Sequence, residues 1–142
     1  MWLEAYRLLE AKLDPSRRAR GKQRLERNFA ILAARCLAWR DYPAYNYRFL
    51  GISTHHLALW ATNVMVAGRL FARADWAEPG KHILRRLATT EQSPDGYWGE
   101  YNSTGPTNGY NLLTLSAVGV YWEHHRDPAA LLAMRRATDF HQ

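Results

Sequence analysis

Apolar residues along this chain recur three and four positions apart rather than two, so the pattern predicts helices and no convincing alternating strand. Leu3, Tyr6, Leu9 and Leu13 share one face of a first helix over residues 2–13, which Asp14-Pro15-Ser16 stops. Leu25, Phe29, Leu32 and Cys36 predict a second helix from about Lys22 to Trp39, with Cys36 on its core face. An irregular aromatic stretch follows, from Asp41 through Tyr42, Pro43, Tyr45 and Tyr47 to Gly51, and Ser53 or Thr54 then caps a third helix to about Ala74. Glu78-Pro79 is expected to open a fourth helix that reaches Gln92. The fifth is expected over Asn108 to His125, and the sixth starts at Asp127-Pro128 and is still running at Gln142.

Between the fourth and fifth helices lies a loop of about fifteen residues, Ser93 to Thr107, with Gly96, Gly99, Gly105 and two prolines. Loops this long in compact domains are usually functional or disordered, and Tyr97, Trp98 and Tyr101 argue against disorder. An internal repeat organises the list. Leu84-Arg85-Arg86-Leu87-Ala88-Thr89 followed by Gln92 recurs as Met134-Arg135-Arg136-Ala137-Thr138-Asp139 followed by Gln142, and Glu78-Pro79 recurs as Asp127-Pro128. The unit is a helical hairpin of about fifty residues, and such hairpins stack into a solenoid or a closed ring.

Composition narrows the classes. Lys and Arg exceed Asp and Glu by 6 over the chain. All of that excess lies in residues 1–50, mostly in Arg17, Arg18, Arg20, Lys22, Arg24 and Arg27. The run has no interleaved aromatics, so it reads as a solvated linker and helix start, and no nucleic-acid partner is expected. The division expected is an N-terminal helix with a basic linker over 1–21 and a helical-hairpin unit over 22–142. A single cysteine excludes an internal disulfide and a cysteine-rich zinc site. No apolar run approaches a membrane span, and Glu4 and Arg7 interrupt the N-terminus where a signal peptide would be apolar.

Gln92-Ser93-Pro94-Asp95-Gly96-Tyr97-Trp98 resembles the QW motif of α/α toroids of the terpenoid cyclase and prenyltransferase type, where the Gln clamps a helix end and the Trp stacks on it. The wider stretch is more similar to the incomplete α/α toroids of heparinase and alginate lyase type polysaccharide lyases and to six-hairpin glycosidases. It has their Pro-Asp-Gly loop, Glu100, the Gly109-Tyr110-Asn111 helix start, a late Tyr and an Asp-Pro helix leading to Phe140-His141. The likeness covers about residues 30–142. It implies an all-α fold, a partial α/α toroid of helical hairpins. Closed toroids use more hairpins than the two and a half to three, at about fifty residues each, that this length holds, so the expectation is a piece of a larger ring whose parent is periplasmic or secreted.

In such a toroid the loops before the inner helices line the binding cleft. The resemblance therefore implies one rim of Glu100, Tyr101, Asn102, Asn108, Tyr110 and Asn111, and another of His55 and His56. A lyase on a uronic-acid polysaccharide needs a group to offset the sugar carboxylate and a base for the proton beside it. By resemblance Asn102 or Asn111 would hold the carboxylate, while Tyr110 or His56 moves the proton. Tyr110 and Asn111 equally fit a cap and a core aromatic, and of the adjacent His55 and His56 only one can face a cleft. Glu100 fits a glycosidase acid, which needs a second carboxylate, whereas Asp95 before Gly96 fits turn chemistry. Trp39, Tyr45, Tyr97, Trp98 and Tyr101 offer aromatic faces for sugar rings or pack loops on helix ends, Trp98 being the most structural. Motifs for metal, nucleotide or serine-hydrolase chemistry are missing, so no metal or cofactor is expected. The expectation is a polysaccharide or oligosaccharide substrate, with β-elimination ahead of glycoside hydrolysis. The rivals are a terpenoid cyclase-like toroid, which lacks its Asp-x-Asp-Asp motif here, and a non-catalytic helical scaffold.

Overall fold

The computed structural model describes residues 2–100 and 107–142, with side chains from Leu3 onward in the first stretch. Among these the chain forms seven α-helices and one 3₁₀ turn and no strand. The helices are α1 (Trp2–Leu9), α2 (Pro15–Trp39), α3 (Tyr47–Leu50), α4 (Thr54–Leu70), α5 (Ala74–Thr89), α6 (Asn108–His125) and α7 (Pro128–Phe140), with the 3₁₀ turn at Glu10–Lys12. No helix is long and apolar enough to cross a membrane.

Several boundaries differ from the sequence pattern, the clearest of them for local reasons. α2 begins at Pro15 rather than near Lys22, because the Asp14 side chain accepts a hydrogen bond from the Arg17 N–H at 2.9 Å and Pro15 takes the first helical position. Asp14-Pro15 thus stops one helix and starts the next, and the basic run expected to be a linker is helical. α5 begins at Ala74, which leaves Pro79 inside it. Here α4 closes early, Ala72 adopts a left-handed conformation at φ 54°, and the Arg73 N–H reaches the Gly68 carbonyl at 2.7 Å, so the chain reverses within three residues. α7 closes at Phe140, where the His141 N–H turns back to the Thr138 carbonyl at 3.1 Å.

α4 and α5 form one hairpin and α6 and α7 the other, with α4 packed on α6, α5 on α7, and α2 on both α4 and α5. The pairs run parallel. At one end His55 of α4 stacks on Tyr110 of α6, and at the other Arg69 reaches the His124 carbonyl at 3.3 Å. The result is two layers, α4 and α6 in one and α2, α5 and α7 in the other, an arrangement that fits an arc of a toroid. The core joins Phe29 and Cys36 of α2 to Leu57, Val64 and Met65 of α4, Ile83 and Leu87 of α5, and Val118 of α6. Burial pushes the Cys36 thiol up to about 12.

The first hairpin is held by backbone contact. A Cβ at Gly80 would collide with the Ala61 carbonyl and press on the Met65 N, and one at Gly68 would collide with the backbone of Ala77. The second hairpin uses alanine instead, burying Ala130, Ala133 and Ala137 along α7.

Candidate functional site

The layered hairpins bring the N-termini of α4 and α6 together beside residues 90–100, the described part of the segment after α5. That segment is fixed by the pattern read as a QW motif. Gln92 and Trp98 pair as a short antiparallel bridge, and Gly96, at φ 91°, lets the turn lie flat on the Arg136 carbonyl. The Gln92 amide donates to the Gly96 carbonyl at 3.0 Å and to Ala133 of α7 at 2.8 Å. Trp98 is fully buried, its indole donating to the Leu87 carbonyl of α5 at 2.8 Å and its N–H to the Asn111 side chain at 2.9 Å. Both side chains therefore tie a loop to helix backbone, and no bond links one to the other.

Two residues after Trp98 the chain places Glu100 at the start of α4. Its carboxylate accepts the His55 backbone N–H at 3.2 Å, and its second oxygen lies 3.1 Å from His55 Nδ1. A carboxylate at a helix N-terminus meets the positive end of the helix dipole. Glu100 is only 1% exposed and His55 only 4%, and a buried carboxylate needs such partners. The Thr54 hydroxyl reinforces the junction, 2.8 Å from the Tyr45 carbonyl and 2.7 Å from that of Gly99. Over the imidazole lies Tyr110, with centroids 4.2 Å apart and planes 9° from parallel; the His56 ring touches His55 from another direction at 4.1 Å. Tyr110 is 41% exposed and His56 is exposed. The result is a layered group: a carboxylate, an imidazole, then two titratable rings facing outward.

Of the residues anticipated from the sequence, Glu100, His55, His56 and Tyr110 come together here. Asn111 is near but turned inward: fully buried, its Oδ1 accepts from Trp98 and its Nδ2 lies 2.9 Å from His141 Nε2. Asn108 is exposed at the start of α6. Tyr97 leans on Phe140 at 5.4 Å, while Trp39 stacks on Trp60 at 5.6 Å, away from the group. Tyr45 is 2% exposed and donates to the Arg40 carbonyl at 2.6 Å; burial raises its phenol well above the ordinary value. Tyr101 and Asn102 lie outside the described residues. Asp95 is exposed in the turn before Gly96, and its side chain makes no hydrogen bond there among the described residues.

Some organising residues were not singled out by sequence reasoning. Arg86 donates to the carbonyls of Tyr42 at 2.5 Å and Pro43 at 2.7 Å, lies over the Tyr45 ring, and pairs with Glu91 at 2.6 Å. Glu91 in turn accepts the Tyr45 N–H at 3.0 Å. This cluster fixes the aromatic stretch before α3, and a cleft of about 210 Å³ between Tyr45, Asn46, Glu91, Gln92 and Tyr97 opens beside Thr54. Among the described residues no group of three His, Cys, Asp or Glu is placed to hold a metal ion. No family model, curated protein or solved structure matches this chain.

Proposed function

We propose that the chain is part of a carbohydrate-active α/α toroid that cleaves a uronic-acid polysaccharide by β-elimination. The observation that carries the reading is the layered group of Glu100, His55, Tyr110 and His56 at the joined N-termini of α4 and α6. In such a reaction the base removes the proton beside the sugar carboxylate, the C–H electrons form the new double bond, the glycosidic C–O bond breaks, and the leaving oxygen takes a proton. Tyr110 and His56 are the exposed groups suited to move those protons. His55, held by Glu100 on one side and stacked under Tyr110 on the other, keeps the phenol in place. Asn111, with both amide atoms engaged internally, leaves Asn102 or Asn108 to meet the substrate carboxylate.

The test is incubation of the chain with alginate, polygalacturonate and heparan-type polymers, following the absorbance of the unsaturated product. The expected result is a signal on one of them that Tyr110→Phe abolishes while the unfolding midpoint stays within error. Reducing ends without new absorbance would favour hydrolysis. A second reading, a non-catalytic helical scaffold, is favoured by the Glu100 carboxylate resting on a helix N-terminus, as a purely structural cap would. Glycan binding without turnover on any polymer would select it.

A further inference from the structure

The basic run takes no part in the group above. α1 lies across the first half of α2 and leaves an open cleft on each side. One, of about 490 Å³, is closed by Leu70 and Phe71 and has Arg18 and Lys22 on its wall. The other, of about 440 Å³, is lined by Leu9, Leu13 and Leu25, with Arg24 at its edge. Beside this second cleft Arg17, Arg20, Arg24 and Arg27 recur at three, four and three residues, an exposed stripe along about 15 Å of helix. Arg17 pairs with Asp14 at 3.3 Å and Arg20 reaches the Ser16 hydroxyl, but Arg24 and Arg27 meet no carboxylate among the described residues. In the cleft Leu9 of α1 is 49% exposed, and its neighbour in sequence, Leu8, is 59% exposed.

We propose that this cleft docks the apolar face of an acidic amphipathic helix from a partner protein. An apolar trough flanked by a row of arginines, of which Arg24 and Arg27 meet no carboxylate among the described residues, is the complement of a helix with leucines on one face and carboxylates beside them. The stripe is about three helical turns long, enough for carboxylates at i, i+3 or i+4 and i+7. A concave trough favours an inserted helix over a flat bilayer, and an apolar floor whose aromatic, Tyr6, is buried disfavours nucleic acid. The reading is independent of any activity at the Glu100 group.

The probe is a capped, fluorescein-labelled 16-residue peptide with leucine at i, i+3, i+4 and i+7 and glutamate on both flanks, compared with its lysine counterpart by anisotropy. The glutamate peptide is expected to bind and to weaken with salt, the lysine peptide not to bind. Arg24→Glu with Arg27→Glu is expected to weaken binding about tenfold or more, and Leu9→Ser to weaken it without changing the helical circular dichroism. Because all three positions are exposed, folding is not at stake. Equal binding of the lysine peptide, no binding at about 100 μM, or indifference to the double reversal would overturn the proposal. So would sedimentation of the chain with phosphatidylglycerol vesicles while the glutamate peptide fails to bind.

Discussion

The two hairpins carry related sequence fifty residues apart and yet use it differently. In the first, Arg86 crosses to the carbonyls before α3 and pairs with Glu91; in the second, the matching Arg136 is exposed and the position matching Glu91 is His141, which meets Asn111. Asp127-Pro128 caps α7, the carboxylate accepting from Ala129 N at 3.0 Å and from the Tyr121 hydroxyl at 2.7 Å, while Glu78-Pro79 sits inside α5 with Glu78 exposed beside Lys81 at 3.6 Å. The difference teaches that an acid before proline starts a helix only where the preceding chain is free to be extended. At α5 the three-residue reversal after α4 has already set the helix going.

The strongest way to break the comparison is at the helix contacts. Gly80→Val forces a branched side chain into the Ala61 and Met65 backbone and is expected to cost at least about 3 kcal/mol in urea unfolding. Ala133→Val, at a buried position of α7 that already carries a Cβ, should cost less. If the two cost the same, the backbone-on-backbone description of the first hairpin is wrong. Next comes the cap: Asp127→Ala should lose about 1 to 2 kcal/mol, and Glu78→Ala should stay within about 0.5 kcal/mol.

The same aspartate supplies a pH dependence. The Tyr121 hydroxyl holds Asp127 below its ordinary value, outweighing the opposing push of burial, and the Ala129 N–H adds a lesser pull the same way. A carboxyl depressed by folding contributes stability above its unfolded value, and that contribution fades as the pH falls toward the folded one. The melting temperature of the wild type should therefore drop more steeply below pH 4 than that of Asp127→Asn; parallel curves would refute the assignment. Trp98→Phe, which keeps most of the buried ring and gives up the bond to Leu87, is expected to cost about 1 kcal/mol.

Sequence periodicity was sufficient for α6 and for the start of α7, whose boundaries coincide with polar or capping residues that do only one job. It misplaced α2 because Asp14-Pro15 does two, and α5 because the start signal there is a backbone reversal that leaves little trace in side-chain chemistry. The Gln92 and Trp98 pattern was legible as structure. The partnership of Glu100 with His55 was not, since the residues lie 45 positions apart and meet only once the hairpins stack. Arg86 and Glu91 carried a faint signal, an Arg-Arg pair repeated in both units with an acid at the fifth position after it only in the first. Nothing in the sequence pattern distinguishes an inward Asn111 from an outward one.

Cys36 carries a practical consequence. As the chain's single thiol, fully enclosed between α2 and the hairpin core and held protonated by burial, it is silent to alkylating reagents while α2 stays docked. Its labelling rate therefore clocks the opening of one helix. With no second thiol to confuse the count, mass spectrometry can compare that opening directly with global unfolding.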